Sequence, residues 1–136
     1  MKEAIQERIS VLIVDDEIEF ASTLAERLQM RGYDATAVYC AADAFESIKK
    51  SSPDVMLLDL IMPETNGMEA LIKVKSFAPE VFVVLLTGNP NIVKELEGIS
   101  LDNVSFIIKP VDISKVTAII DGAKREMTNQ RKWVES

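Results

Sequence analysis

Histidine is absent from this 136-residue chain, and cysteine occurs once, at Cys40. Those two absences exclude an intrachain disulfide, His/Cys zinc sites and any Ser/His or Cys/His catalytic pair. Transfer or hydrolytic chemistry must therefore run on carboxylates, hydroxyls, lysine or a bound cation. Long apolar runs are missing too: none approaches the ~20 residues of a membrane span. The opening MKEAIQERIS carries charges where a secretory leader needs an apolar core, so a cytoplasmic protein with no membrane contact is expected. Positive charge is scarce, with 15 Lys+Arg against 22 Asp+Glu and a net charge of -7. That balance speaks against direct contact with nucleic acid, whose phosphates are bound by excess Lys and Arg. An acidic surface mainly serves solubility.

What is present is a globular balance of 48% hydrophobic and 27% charged residues, suited to one domain with its own core. Short aliphatic runs alternate with longer segments of helical period. SVLIV (10–14) reads as a buried strand. In the EIEFASTLAERLQMRG that follows, Phe20, Leu24 and Leu28, flanked by Ala21 and Ala25, give one apolar helical face that Gly32 ends. YDATAVY (33–39) is a weaker strand, and Ala44, Phe45 and Ile48 mark a second helix. SSPD (51–54) is turn chemistry ahead of the strand VMLLD. TNG (65–67) precedes a third helix carrying Met68, Leu71, Val74 and Ala78, and VFVVLL (81–86) is a fourth strand. Asn89 looks like an N-cap with Pro90 at the first helical position and Gly98 closing a short helix. NVSFII (103–108) is the fifth strand, and Asp112 can cap a last helix lined by Ile113, Val116, Ile119, Ile120, Ala123 and Met127. Five strands interleave with five helices, and most strands are too continuously apolar to face water on one side. The pattern predicts an α/β fold, a doubly wound parallel sheet with right-handed crossovers.

One stretch conflicts with a purely apolar core. In VMLLDLIMP (55–63), Asp59 stands among aliphatic residues, and an isolated carboxylate inside such a segment would neutralise. Ligands bind outside the carboxyl ends of strands in open parallel sheets, so the residues after each strand test the alternatives. Asp15-Asp16 follow the first strand, Asp59 ends the third, Thr87 follows the fourth and Lys109-Pro110 the fifth. The second ends in Tyr39-Cys40, with nothing ionised, as suits a sheet edge. Singly each is ordinary: an Asp after a strand is often a helix cap, and a Lys-Pro pair is commonly a turn. Jointly they place three carboxylates, a hydroxyl and an ammonium on one rim. Each carboxylate pair at about 4 Å repels by roughly 4 kcal/mol at an effective dielectric of about 20, so protonation, a lysine or a metal must relieve it. Oxygen-only ligands select a hard cation, for which a partly hydrated Mg²⁺ is the natural candidate. A carboxylate beside Mg²⁺, a hydroxyl and a lysine is also a plausible phosphoryl acceptor.

VLIVDDE, LLDLIMPETNGME, LLTG and FIIKP, in this order and spacing, resemble the receiver domain of two-component response regulators. The resemblance runs from about residue 9 to residue 127, leaving 1–8 as an extension and 128–136 as a tail or the start of a linker helix. It implies a flavodoxin-like (βα)5 fold with strand order 2-1-3-4-5. It also implies that Asp59 accepts a phosphoryl group from a histidine kinase or a histidine phosphotransfer protein. Asp16, Asp59 and the backbone carbonyl of Ile61 would hold Mg²⁺, with Asp15 reaching it largely through water. Lys109, usually joined to Pro110 by a cis bond, and Thr87 would contact the phosphoryl group. Phe106 stands at the switch-aromatic position, although from the residues alone it reads as an ordinary strand residue.

The signalling surface would comprise the helix from about Pro90 to Glu97, the fifth strand and the last helix, with Val93, Leu96, Ile99 and Leu101 either core or partner-facing. It would serve a downstream effector, a covalently linked output domain or a homodimer. Ile61 and Asn89 are positions that tune phosphoryl lifetime in this family. An apolar Ile61 cannot position an attacking water, which predicts slow self-dephosphorylation. Such a domain assists its own phosphorylation and is not a turnover enzyme on an external substrate. Two rivals are weighed against it. A haloacid-dehalogenase-type phosphatase needs a second Asp two residues after the nucleophile, where this chain has Ile61. A phosphorylation-independent interaction module usually lacks a site residue, and none is missing.

Overall fold

The computed structural model describes residues 8–62, 65–89, 91 and 102–135, with 62, 65, 66 and 126–135 described by backbone alone. Five strands form one sheet: β1 (Ser10–Val14), β2 (Asp34–Val38), β3 (Val55–Asp59), β4 (Phe82–Thr87) and β5 (Val104–Ile108). All pair in parallel, in the order 2-1-3-4-5. The helices are α1 (Ile18–Met30), α2 (Ala41–Lys50), α3 (Gly67–Phe77) and a last helix, Ile113–Glu135. The short helix expected from Pro90 to Glu97, with Val93, Leu96, Ile99 and Leu101, lies outside the described residues except for Asn91.

The apolar runs are explained by alternation. Leu12, Val14, Met56, Leu58, Val83 and Leu85 pack with Ala44 and Ile48 of α2 and Ala70, Leu71 and Val74 of α3. Their neighbours Val11, Ile13, Val55, Leu57, Val84 and Leu86 pack with Ala21, Leu24, Ala25 and Leu28 of α1 and Val116 and Ile120 of the last helix. Successive side chains leave a strand on opposite faces, so a sheet covered on both needs apolar residues at every position. β3 is buried throughout. β5 is not: Ile107 is buried, while Phe106 and Ile108 are exposed.

The helix ends follow their local chemistry. Gly32, at φ 93, lets its N–H reach the Gln29 carbonyl and that of Tyr33 reach Leu28, a Schellman closure of α1. Asp112 accepts the Ser114 N–H at 2.9 Å, capping the last helix as expected. Tyr33 donates to Asp121 at 2.7 Å, tying the start of β2 to that helix. Burial first, then Asp121, pushes the Tyr33 phenol up to about 12. Among the described residues no helix is long and apolar enough to cross a membrane.

Candidate functional site

Asp15, Asp59 and Lys109 each continue an alternation one step beyond the core. Val11 and Ile13 lead to Asp15, Val55 and Leu57 to Asp59, and Ile107 to Lys109, all on the face shared by α1 and the last helix. Because Val11 pairs with Val55 and Ile13 with Leu57, the same register brings Asp15 level with Asp59. The Lys109 N–H extends the β4–β5 ladder to the Thr87 carbonyl at 2.8 Å, and the Lys109-Pro110 bond is cis.

Asp15 is fully buried and has two tasks. Its Oδ1 accepts the Glu17 N–H at 2.9 Å, turning the chain into α1, and its Oδ2 accepts from Lys109 Nζ at 3.1 Å. Asp15 therefore shapes the turn ahead of α1 rather than capping it. The N-cap position is Glu17, which makes no side-chain cap bond, and the charge-cluster reading of Asp15 is the one the geometry bears out. Asp59 Oδ1 accepts the Ile61 N–H at 3.1 Å, while its Oδ2 lies 3.7 Å from Lys109 Nζ. The loop beyond it is cinched. Ile61–Met62 pairs antiparallel with Thr65–Asn66, and the Gly67 N–H reaches the Leu60 carbonyl at 3.3 Å. Ile61 itself is exposed.

Thr87 is buried at the end of β4. Its Oγ1 accepts the Asn89 N–H at 3.0 Å and donates toward the Asn89 carbonyl at 3.3 Å. The Asn89 side chain accepts the Asn91 N–H at 3.0 Å, the bond an N-cap makes. Phe106, paired in register with Leu85 of β4, is 42% exposed.

The carboxylates brought together are Asp15, Glu17 and Asp59, with one oxygen of each lying within 4.8 Å of the others. Asp16, half-buried, is not in this group, whereas Asp15, which the sequence reading placed at one remove from a cation, is in it and is buried, as Asp59 is. Glu17 was not singled out by that reading. The signal was the third acid of DDE, placed where a chain turning into a helix still faces the rim. Lys109 Nζ lies 3.0 Å from Glu17 Oε1 and 4.9 Å from the centre of the Phe20 ring.

Electrostatics here are unbalanced. Burial, reinforced by the charge of Asp15, pushes the Asp59 carboxyl up to about 6, against the opposing pull of the Ile61 N–H and Lys109. Burial alone would lower the Lys109 ammonium. Hydrogen bonds to Glu17 and Asp15, and the charges of Asp15 and Asp59, instead hold it above the ordinary lysine range. One lysine therefore does not offset the acids around Asp59. A donor set of carboxylate oxygens short of positive charge fits a hard divalent cation.

The family profile described as "Response regulator receiver domain" matches residues 11–121. The chain belongs to that family. As a receiver domain of two-component response regulators, it is similar to the luminescence regulatory protein LuxO of Vibrio campbellii (strain ATCC BAA-1116), at 30% identity over 91% of this chain and 27% of that protein. It is also similar to the transcriptional regulatory protein ZraR of Klebsiella oxytoca, at 27% identity over 86% of this chain and 26% of that protein. The receiver spans between 26% and 50% of the length of these and another curated relative. Among solved structures it resembles the receiver domain of NtrX from Brucella abortus, with a TM-score of 0.72 and 26% identity over 83% of this chain and 96% of that one. It also shares the fold of the response regulator TrrA from Thermotoga maritima, solved in complex with Mg(2+)-BeF. That match has a TM-score of 0.74 and 21% identity over 87% of this chain and 99% of that one.

Proposed function

We propose that Asp59 is the phosphoacceptor of this receiver, taking its phosphoryl group from a histidine kinase or a histidine phosphotransfer protein. The observation that carries this is the buried Asp59 carboxylate at a strand end, with Lys109 at 3.7 Å and a carboxyl pushed up to about 6 by burial and by the charge of Asp15. A carboxylate oxygen forms the new bond to phosphorus. The P–N bond to the donor imidazole breaks, and the electron pair leaves with the ring. Asp15, Asp16, Asp59 and the Ile61 carbonyl would hold Mg²⁺, which when bound supplies positive charge against the phosphoryl oxygens. Lys109 then contacts a phosphoryl oxygen, and Thr87 exchanges its bonds to Asn89 for another.

That exchange is the switch. Phosphorylation adds roughly −1.5 to −2 charge and strong acceptors at one point. Thr87 moving inward frees space for Phe106, whose exposed ring then turns in. Phe106, Ile108, Lys115, Ala118 and Ile119 line a groove of about 350 Å³ on the fifth strand and last helix, which supports this face as the output surface. It would serve a downstream effector, a linked output domain or a second copy, with no direct nucleic-acid contact by this domain. Residues 9–127 form the receiver in this reading, with 1–8 an extension and 128–136 a tail or linker.

Incubation with a small acyl phosphate and Mg²⁺ tests the assignment. The wild type acquires one phosphoryl group and Asp59→Asn none; equal labelling of the two would remove Asp59 from the mechanism. Phosphoryl lifetime tests Ile61, whose exposed apolar side chain orients no water. Ile61→Asn shortens the lifetime about tenfold, on the scale of a weak general-base or positioning effect. Equal decay rates would leave position 61 without a kinetic role.

A further inference from the structure

Glu17 is the carboxylate at the site that phosphoryl transfer to Asp59 leaves without a task. Its Oε1 stands 3.0 Å from Lys109 Nζ, beside Asp15 at 3.1 Å and well inside the 3.7 Å to Asp59. An ammonium has three N–H donors. Two meet Asp15 and Glu17, and the distance to Asp59 is longer than a hydrogen bond. The two partners differ in freedom. Asp15 is buried and also holds the turn into α1, whereas the Glu17 side chain is 64% exposed. Glu17 can leave Lys109 for water; Asp15 cannot.

We propose that Glu17 is a displaceable counter-ion that draws Lys109 toward the mouth of the site in the resting protein and yields it to the phosphoryl group on Asp59. The inference rests on Asp59 being the phosphoacceptor. Its direction follows from charge. An exposed carboxylate holds a lysine weakly, while a phosphoryl group offers greater charge and three strong acceptors. Once Lys109 has changed partner, Glu17 faces like charge and turns outward. Glu17 thus stabilises the resting state and opposes the loaded one, and it acts as a positioning residue through Lys109. Phe20, with its ring 4.9 Å from Nζ, gives the ammonium an apolar flank in the resting position.

Beryllofluoride with Mg²⁺ serves as the phosphoryl probe, read by thermal unfolding of the wild type, Glu17→Gln and Asp59→Asn. At low salt, Glu17→Gln is half-saturated at a beryllofluoride concentration about two- to fivefold lower than the wild type. The gap closes toward 1 M ionic strength, where the screening length falls to about 3 Å. The Lys109 side-chain NMR signal differs between wild type and Glu17→Gln without beryllofluoride and coincides when both are loaded. Equal or weaker beryllofluoride binding by Glu17→Gln at low salt overturns the proposal. So does a higher Mg²⁺ requirement for stabilisation by Mg²⁺ alone, which would make Glu17 a cation ligand. So does an unmoved Lys109 signal in the resting variant. A beryllofluoride response retained by Asp59→Asn would instead sink the phosphoacceptor assignment, leaving the two failures distinguishable.

Discussion

Asp59→Asn raises the stability of the metal-free protein at pH 7.5 by roughly 2 kcal/mol, while abolishing phosphoryl labelling. Most substitutions of a buried, hydrogen-bonded residue destabilise; this one reverses the sign because the native charge is under-compensated. Burial and Asp15 push the folded-state carboxyl up to about 6 from its ordinary 3.8. The folded protein therefore binds that proton more tightly than the unfolded chain. The stabilisation carried by the protonated form is fully present below about pH 4 and is lost as pH rises through about 6. A shift of about two units corresponds to about 3 kcal/mol, discounted here because Asn does not reproduce every contact of a protonated Asp. In urea unfolding with a chelator, the variant's advantage over the wild type is small at pH 4 and grows to its full value by pH 7.5. Added Mg²⁺ shrinks it by stabilising the wild type. A variant that unfolds at lower urea than the wild type at pH 7.5 would mean that Lys109 alone balances the acids.

Gly67→Ala destabilises the fold by about 3 kcal/mol and slows labelling of Asp59. A Cβ at this position would lie 2.5 Å from the Leu60 Cα and carbonyl oxygen and 2.8 Å from its carbonyl carbon. These are backbone atoms and cannot rotate aside. The strain must open the closure in which the Gly67 N–H reaches Leu60, and Leu60 directly follows Asp59. Gly67 is the first residue of α3, where alanine's better helix propensity would return at most about 1 kcal/mol. Gly122→Ala is the control: nothing lies within 4 Å of its Cβ, and it sits inside the last helix. It is expected to be neutral or mildly stabilising. Urea midpoints for the two variants check the contrast, and equal midpoints would show that the Leu60–Gly67 approach relaxes freely.

Much of the site was legible because its signals are local. Aliphatic runs of strand length alternate with segments of helical period, which is enough to predict a parallel sheet covered on both faces. Asp112 announced itself as a cap, and its side chain accepts the N–H group two residues on, at the start of the last helix. Asp59 was conspicuous because a carboxylate among aliphatic residues has to be explained by position. These features depend on a few neighbouring residues, and period and capping chemistry report them without knowledge of the rest of the chain.

What the sequence by itself determined is the alternation within each strand, and hence which residues share a face. The tertiary structure alone decided how those faces align. Pairing Val11 with Val55 brings Asp15 level with Asp59, and β5, two strands from β3, delivers Lys109 to both. The same assembly picked Asp15 over Asp16 for the three-carboxylate group, added Glu17 to it, and left Phe106 exposed on β5. The reason is physical: register, and the partner a long side chain selects, come from packing between segments far apart in the chain, and a period read along one segment contains neither.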